Sequence, residues 1–408
     1  MRRVVITGRG AISPLGHSWE AVLAHLRSGR NAVQRFAEWD AYKGLNTRLG
    51  AAAQPFELPP HYNRKATRSM GRVAVMAVRA TEMALEDAGL LGDPLLRSGR
   101  VGISYGSSAG TPSSMSDFGR MLTEMDTQSI NATTYIKMMS HTAPVNIGVF
   151  FGLTGRVITT SSACTSGSQG LGYAYETIKS GRQVAMVAGG CEEMHVTAAT
   201  VFDTLFATSS ANDRPESTPR PFDVDRDGLV VGEGACTLIL EDLEHAQARG
   251  APILAEIVGY GTNSDGRHVT QPNVDTMAVA MQLALEDAQL PPEAICYVNA
   301  HGTATDHGDI AESQATQRIF GSRMPISSLK SYTGHTLGAC GALEAWISCE
   351  MMREGWFAPT VNLQQVDPQC GELDYLIGGG REIDGEYCMS NNFAFGGINT
   401  SLVLRRWV

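Results

Sequence analysis

Hydrophobic positions recur at helical spacing in two stretches of the chain that end in nearly the same letters. ALEDAGL closes one stretch at 84–90, and ALEDAQL closes the other at 284–290. Apolar residues three or four positions apart predict an amphipathic helix in each case. A β-rich run follows each helix, beginning at Val101 and at Ile295. This alternation predicts mostly parallel sheets covered by helices.

Two further pairs of segments repeat in the same order along the chain. ACTSGSQGLGYAYETIKSG at 163–181 matches LGACGALEAWISCEMMREG at 337–355, and GEGACTLILEDL at 232–243 matches GGINTSLVLRRW at 396–407. Three ordered matches predict a duplicated βα unit, with one half over 1–250 and the other over 251–408. The excursion at about 111–145 has no counterpart, which predicts a lid or a partner-facing insertion.

Composition and charge exclude several classes of protein. The chain has 408 residues, 43% of them hydrophobic, and a formal net charge of −10. Such a charge disfavours nucleic acid and anionic membrane surfaces as partners. We expect the N-terminal segment MRRVVITGRG to form a short strand rather than a signal peptide, and no apolar run reaches the roughly 18 residues that span a bilayer. The eight cysteines show no C-x-x-C pair and no zinc spacing, so we expect reduced thiols in a cytoplasmic protein.

Candidate chemistry centres on Cys164, at a turn of small residues between a predicted strand and a predicted helix. A helix N-terminus favours the thiolate, which is the nucleophilic form, although position alone leaves a plain buried cysteine equally open. His335 opens the matching helix of the second half, and His301 follows its strand. We expect the duplication to bring all three to one cleft, where two neutral imidazoles would stabilise an enolate.

Other segments contain residues that could support the site, and one contains a motif of an unrelated enzyme class. Lys330 and Glu344 flank His335, either as support for the site or as a surface ion pair of little consequence. The loop at 389–401 holds Gly396 and Gly397 and suits an oxyanion donor with a hydrophobic gate. YETIK at 175–179 fits the Y-x-x-x-K pattern of short-chain dehydrogenases, but no glycine-rich nucleotide turn accompanies it.

Taken together, the Cys164 turn, HGTAT at 301–305, KSYTGHTLGACGALE at 330–344 and NNFAFGGIN at 391–399 resemble the signature regions of the β-ketoacyl-acyl-carrier-protein synthases. The resemblance covers nearly the whole chain. It implies the α/β thiolase fold, with duplicated halves in a five-layer αβαβα sandwich, and a homodimer or a heterodimer with a chain-length-factor-like homologue. It also implies an acyltransferase that elongates fatty-acid, polyene or polyketide chains by decarboxylative Claisen condensation with malonyl carrier protein.

The resemblance assigns roles residue by residue. Cys164 would carry the acyl chain, His301 and His335 would bind the enolate oxygen, and Lys330 and Glu344 would support them. The backbone N–H groups of Cys164 and Phe395 would form the oxyanion hole. Thr303 and Thr305 would line the phosphopantetheine tunnel, and Phe393 and Phe395 would gate it. No cofactor is implied beyond the phosphopantetheine that the acyl carrier protein brings.

Two peripheral sites and some departures complete the resemblance. Asn299, Glu344, Ser390 and Asn391 match positions that hold a structural Na⁺ or K⁺ in some members. A local basic cluster is formed by Arg64, Lys65, Arg68 and Arg72. Lys65 and Arg68 match positions that dock the carrier protein, with a solvated helix face as the alternative. Ala394 replaces a usual glycine of the gate, and Asp306 and His307 stand where a proline is common.

Two other functions stay open at this point. A thiolase-type transferase acting on coenzyme A esters would need a second catalytic cysteine in the loop that ends at Asn399, and that loop has none. A non-catalytic partner subunit would be expected to lack Cys164.

Overall fold

Strands and helices alternate along the whole chain in this computed structural model, which describes all 408 residues. The strands are β1 (Val4–Ile12), β2 (Gln34–Arg35), β3 (Leu49–Ala51), β4 (Val101–Gly106), β5 (Val157–Thr159), β6 (Ala185–Glu192), β7 (Val231–Gly232), β8 (Gly234–Asp242), β9 (Ala255–Ser264), β10 (Ile295–Asn299), β11 (Pro325–Ser327), β12 (Trp356–Phe357), β13 (Asp374–Tyr375), β14 (Arg381–Glu382), β15 (Tyr387–Ala394) and β16 (Ile398–Arg406). The helices are α1 (Trp19–Ser28), α2 (Arg64–Thr67), α3 (Arg72–Asp87), α4 (Pro112–Glu124), α5 (Ala132–Met138), α6 (Thr142–Phe151), α7 (Ser166–Lys179), α8 (Val196–Asp203), α9 (Leu243–Ala248), α10 (Val274–Ala288), α11 (Asp306–Phe320), α12 (Lys330–Thr333) and α13 (Cys340–Glu354).

The main sheet has eleven strands in the order β13-β11-β10-β15-β16-β9-β1-β8-β6-β4-β5. β1 and β9 pair antiparallel at its centre. Outward from β1 come two antiparallel pairs and then two parallel pairs. Outward from β9 the same sequence of pairings recurs. The sheet is therefore duplicated about its centre.

The prediction of mostly parallel sheets is wrong for the central strands. β15 and β16 are joined by the residues at 395–397, and Ala394 pairs with Ile398. Gly396 and Gly397 supply the positive φ angles of this tight turn, +90° and +69°, which glycine adopts without strain. A turn this short can only join antiparallel strands, because a parallel connection needs a long crossover.

Helices form three layers around the two halves of the sheet. α7 and α13 pack on each other between the halves, α3 and α6 cover the first half, and α10 and α11 cover the second. Three helical layers with the two halves of the sheet between them make up the predicted five-layer αβαβα fold. None of the helices has the length and the apolar composition that crossing a bilayer requires.

The repeated sequence segments occupy equivalent elements. The second matched pair forms α7 and α13, and the third forms β8 and β16. The boundary predicted at 250 lies in the loop between α9 and β9. The excursion at 111–145 forms α4, α5 and the start of α6.

The Y-x-x-x-K string has a structural role. The Tyr175 hydroxyl lies 2.9 Å from Asp287 Oδ2, and Lys179 Nζ lies 2.5 Å from Asp287 Oδ1. These contacts join α7 to α10. The motif therefore ties the central layer to an outer layer.

Candidate active site

Cys164 lies in a single 3₁₀ turn, Ala163–Thr165, directly before α7. Ala163 has a φ of +51°, and Leu337, in the matching 3₁₀ turn before α13, has a φ of +46°. A left-handed backbone costs a non-glycine residue about 1–2 kcal/mol. Strain of this kind persists where the surroundings impose it, and it concentrates at functional positions.

The two histidines meet Cys164 in one buried compartment. His335 Nε2 lies 2.9 Å from Cys164 Sγ. The rings of His301 and His335 are 5.1 Å apart between centroids and nearly perpendicular. One donor atom from each of the three residues lies within 4.8 Å of the other two. The duplication thus brings together residues that are 171 positions apart in the sequence.

Hydrogen bonds behind the rings decide which imidazole nitrogen carries hydrogen. The Leu337 backbone N–H donates to His335 Nδ1 at 3.3 Å. Asn392 Nδ2 lies 3.4 Å from His301 Nδ1, and the same nitrogen donates to Glu344 Oε2 at 2.7 Å, which orients the amide. Because each Nδ1 accepts, each neutral ring carries its hydrogen on Nε2.

Both imidazoles are held neutral. Burial lowers the pKa of His335 well below its usual value, and the Lys330 charge lowers it further. Burial, Lys330 and His335 act in the same direction on the pKa of His301. Each ring therefore presents an Nε2–H donor rather than an acid at neutral pH.

Lys330 and Glu344 form a buried ion pair, with Nζ 2.5 Å from Oε1. Burial works to lower the pKa of Lys330, but the Glu344 carboxylate outweighs it and the pKa ends above its ordinary value. The pair is therefore internal and lies against the histidines, which excludes the surface ion pair considered as the alternative.

The helix N-terminus led us to expect a thiolate at Cys164, but in the resting site the sulfur is a protonated thiol. Burial raises the pKa of the Cys164 thiol to about 12, although Lys330 and the backbone N–H groups of Cys164 and Phe395 act to lower it. The nearby Glu192 carboxylate raises it further. Desolvation of the buried sulfur anion therefore outweighs the effect of the helix terminus.

A cavity of about 400 Å³ leads from Cys164 to the surface. Its lining includes His301, His335 and the four residues predicted for the tunnel and gate, Thr303, Thr305, Phe393 and Phe395. The two threonine hydroxyls are 2.9 Å apart. Phe395 packs on Phe202 with ring centroids 5.3 Å apart.

Comparison with known proteins identifies the family of this chain. Residues 1–246 match the model of the β-ketoacyl synthase N-terminal domain, and residues 254–364 match that of the C-terminal domain. The chain belongs to the β-ketoacyl synthase family. It is a condensing acyltransferase of fatty-acid or polyketide chain elongation.

Relatives and solved structures cover the whole chain. It is 36% identical to 3-oxoacyl-[acyl-carrier-protein] synthase 2 of Vibrio cholerae, over 99% of both chains. A β-ketoacyl synthase structure from Burkholderia phymatum is 60% identical, with a TM-score of 0.99 and complete coverage of both chains. The ishigamide ketosynthase/chain length factor is 32% identical, with a TM-score of 0.90 and complete coverage of both.

The predicted cation residues lie beside the family's catalytic core. Asn299 Nδ2 contacts Ser390 Oγ at 3.2 Å, and Asn391 follows in β15. The amide oxygens of Asn299 and Asn391 are buried without a hydrogen-bond partner in the chain. An orphaned buried oxygen beside the Glu344 carboxylate, as at Asn299, suits a hard cation. The Asn391 amide nitrogen is also unpartnered, so the observed fit to the implied ion rests on Asn299 and Glu344.

The predicted docking residues lie apart from the cavity lining. Arg64, Lys65 and Arg68 are exposed, in α2 or directly after it. The neighbouring Arg72 is instead paired with Glu233. The unpaired basic surface therefore consists of Arg64, Lys65 and Arg68 and does not include Arg72.

Sequence reasoning missed three buried residues that hold the catalytic turns. Asp309 accepts the backbone N–H groups of Thr303 and Ala304, and Glu312 accepts those of His301 and Gly302. Asp309 and Glu312 are three apart in α11, a helical spacing that the sequence did show beside HGTAT. The third residue, Asn392, lies between Glu344 and His301 and contacts both. No spacing pattern in the sequence indicated this role.

Proposed function

We propose that this chain is an elongating β-ketoacyl-acyl-carrier-protein synthase that uses Cys164, His301 and His335. The observation that carries the proposal is the convergence, within 4.8 Å, of the Cys164 sulfur and one ring nitrogen from each histidine, all three residues being buried. Two neutral donors and a thiol match the needs of thioester exchange followed by enolate formation.

In the first half-reaction Cys164 receives the acyl chain. Its sulfur attacks the thioester carbonyl of an acyl carrier protein, and its proton leaves with the released pantetheine thiol. The backbone N–H groups of Cys164 and Phe395 both hydrogen-bond to the sulfur. This position supports the proposal that they donate to the oxyanion of the tetrahedral intermediate that forms on Cys164. Preorganised donors stabilise that oxygen without reorganisation.

In the second half-reaction malonyl carrier protein enters through Thr303 and Thr305. The malonyl carbon–carboxylate bond breaks and carbon dioxide leaves. His301 and His335 donate Nε2–H to the enolate oxygen. The carbanion then attacks the acyl carbonyl on Cys164, the carbon–sulfur bond breaks, and a β-ketoacyl carrier protein results. The released thiolate takes up one proton from solvent and restores the resting thiol. The reaction needs no cofactor beyond phosphopantetheine.

Assembly and ion binding extend this proposal. The chain would work as a homodimer, or as the active member of a heterodimer with a chain-length-factor homologue, since it keeps Cys164 and both histidines. Na⁺ or K⁺ would be held by Asn299, Glu344, Ser390 and Asn391 and would stabilise the strand ends behind Lys330. Eight free thiols support a location in the cytoplasm.

The cavity argues against a thiolase-type transferase. Cys164 is the one cysteine in its lining, whereas a thiolase needs a second cysteine at the reacting carbon. The condensing synthase is therefore the function that the side chains support.

Intact-mass analysis tests the proposal. Mixing the protein with carrier proteins loaded with acyl chains of different lengths should add one acyl mass, and peptide mapping should place it on Cys164. The Cys164→Ala variant should remain unmodified while still decarboxylating malonyl carrier protein. A wild-type protein that no acyl carrier protein modifies would contradict the proposal.

A further inference from the structure

The mouth of the cavity has an apolar rim that folding does not require. Leu205, Phe206 and Val269 all line the cavity, yet they are 47%, 87% and 69% exposed. Large apolar side chains clustered at an opening are typical of a contact surface. We define these three residues as the apolar rim.

Phe206 is displayed on a rigid turn directly after α8. Its φ is +54°, a left-handed conformation that suits glycine or asparagine far better than phenylalanine. Its N–H donates to Asp203 O, and the Ala207 N–H donates to Phe202 O, both at 3.0 Å. The turn therefore keeps a bulky ring in water at a backbone position that disfavours it.

Buried contacts fix this turn from below. The Asp203 carboxylate accepts the backbone N–H groups of Asn46 at 2.9 Å and Thr47 at 3.1 Å, and the Thr208 hydroxyl at 2.7 Å. Asp203 itself is 4% exposed. The Phe206 ring buries almost no surface against these residues, so it contributes little to the stability of the isolated chain. A role in contacting another molecule would explain it.

The charges at the mouth do not favour an ionic contact with an acidic partner. No lysine or arginine lines the cavity, and the one exposed carboxylate in its lining is that of Asp306. The exposed cations Arg64, Lys65 and Arg68 are outside the lining. Attraction at the mouth itself must therefore come from apolar contact.

We propose that the apolar rim, with Phe206 as its anchor, docks the acyl carrier protein through an apolar side chain beside the carrier's phosphopantetheine attachment. This inference rests on the proposed function, because a carrier whose arm reaches Cys164 must sit over this mouth. A rigid, exposed aromatic residue costs little conformational entropy on binding and suits the centre of an interface.

The test compares two acyl donors on four proteins. The wild type and the variants Phe206→Ser, Phe206→Leu and Val201→Ser would be acylated by an acyl carrier protein and by the same acyl group on N-acetylcysteamine. Val201 is the matched control, since it is 55% exposed on α8 but does not line the cavity. The measurement is kcat/KM for each donor.

Phe206→Ser should lower the ratio of carrier to small-thioester kcat/KM by about tenfold. Phe206→Leu should keep most of the ratio and Val201→Ser all of it. The loss should persist at about 0.5 M NaCl, where exposed ionic contacts are screened. Phe206→Gly, which relieves the backbone strain, should lose as much as Phe206→Ser.

Equal ratios in Phe206→Ser and Val201→Ser would overturn the docking proposal, as would a recovery in Phe206→Gly, which would assign the defect to the turn. Failure of the proposed function is a separate result, because then neither donor would acylate the wild type at Cys164.

Discussion

His301 and His335 illustrate how much of a side chain's chemistry comes from its neighbours. The sequence shows two histidines in glycine-flanked turns, and either nitrogen of each ring is available in principle. The backbone N–H of Leu337 and the amide of Asn392 occupy the two Nδ1 atoms. The site therefore presents two Nε2–H donors, and its residues act as hydrogen-bond donors rather than as a base.

The histidine roles predict an uneven loss of partial reactions. His301→Ala and His335→Ala should each retain more self-acylation of Cys164 than decarboxylation, with decarboxylation falling about 10²–10³-fold as a developing oxyanion loses a donor. Intact mass measures acylation, and release of carbon dioxide from malonyl carrier protein measures the other step. Equal losses of both steps would contradict the enolate role.

The pKa of Cys164, raised to about 12 by burial, predicts a pH profile for alkylation. The thiol is protonated from pH 7 to 9, so the thiolate fraction and the rate of iodoacetamide labelling should rise about tenfold per pH unit. Glu192→Gln should label faster above about pH 7, because burial raises the pKa of the Glu192 carboxyl to about 7 and its charge then raises the pKa of the thiol.

Peptide mapping at each time point separates Cys164 from the other cysteines. A labelling rate that levels off below pH 9 would contradict the raised pKa. Unchanged labelling in Glu192→Gln would show that the carboxylate does not act on the sulfur.

At the scale of elements, the close contact between a central strand and its covering helix is duplicated in the two halves. Gly10 in β1 lies against the backbone of Ala80 in α3, and Gly261 in β9 lies against that of Ala280 in α10. A Cβ at either glycine would overlap a helix carbonyl oxygen. The close packing of sheet and helix therefore depends on these positions in both halves.

Gly261→Ala should lower the free energy of unfolding by about 2–3 kcal/mol, as expected for overpacking against a fixed backbone. Gly119→Ala is the matched control, because Gly119 lies in α4 with open space around its Cβ position. It should be neutral or slightly stabilising, since alanine favours helix. Urea midpoints measure both changes, and similar midpoints for the two variants would contradict the packing argument.

Elements also show where sequence patterns fall short. The match between 163–181 and 337–355 correctly placed α7 and α13 in equivalent positions, because small residues at a turn and a following helix are local features. The antiparallel centre of the sheet was missed, because strand direction depends on which distant strands pair. α13 is buried from Cys340 to Met352, so it lacks the amphipathic pattern of a surface helix.

At the scale of the whole molecule, the net charge of −10 repels an acidic carrier protein. Electrostatic attraction must therefore come from a local group of basic residues. Arg64, Lys65 and Arg68 are exposed cations without an ion-pair partner within 4.0 Å. They supply a positive patch on an otherwise acidic chain. Such a patch steers association and responds to salt.

Lys65→Glu should raise KM for an acyl carrier protein by about fivefold at low salt, and the difference should shrink at about 0.5 M NaCl. Arg323→Glu is the control, since Arg323 is an exposed cation elsewhere in the chain. An equal effect of both substitutions would indicate a general charge effect rather than docking through α2.

The sequence by itself determined the duplicated βα architecture, the family and the choice of Cys164, His301 and His335 as candidate site residues, because repeats and signature turns consist of local residue patterns. Tertiary structure alone decided the raised pKa of Cys164, the Nε2–H tautomers and the support from Asp309, Glu312 and Asn392. It also decided that Phe206 stands exposed at the cavity mouth. Burial and desolvation depend on which distant segments pack together, and no local pattern contains that information.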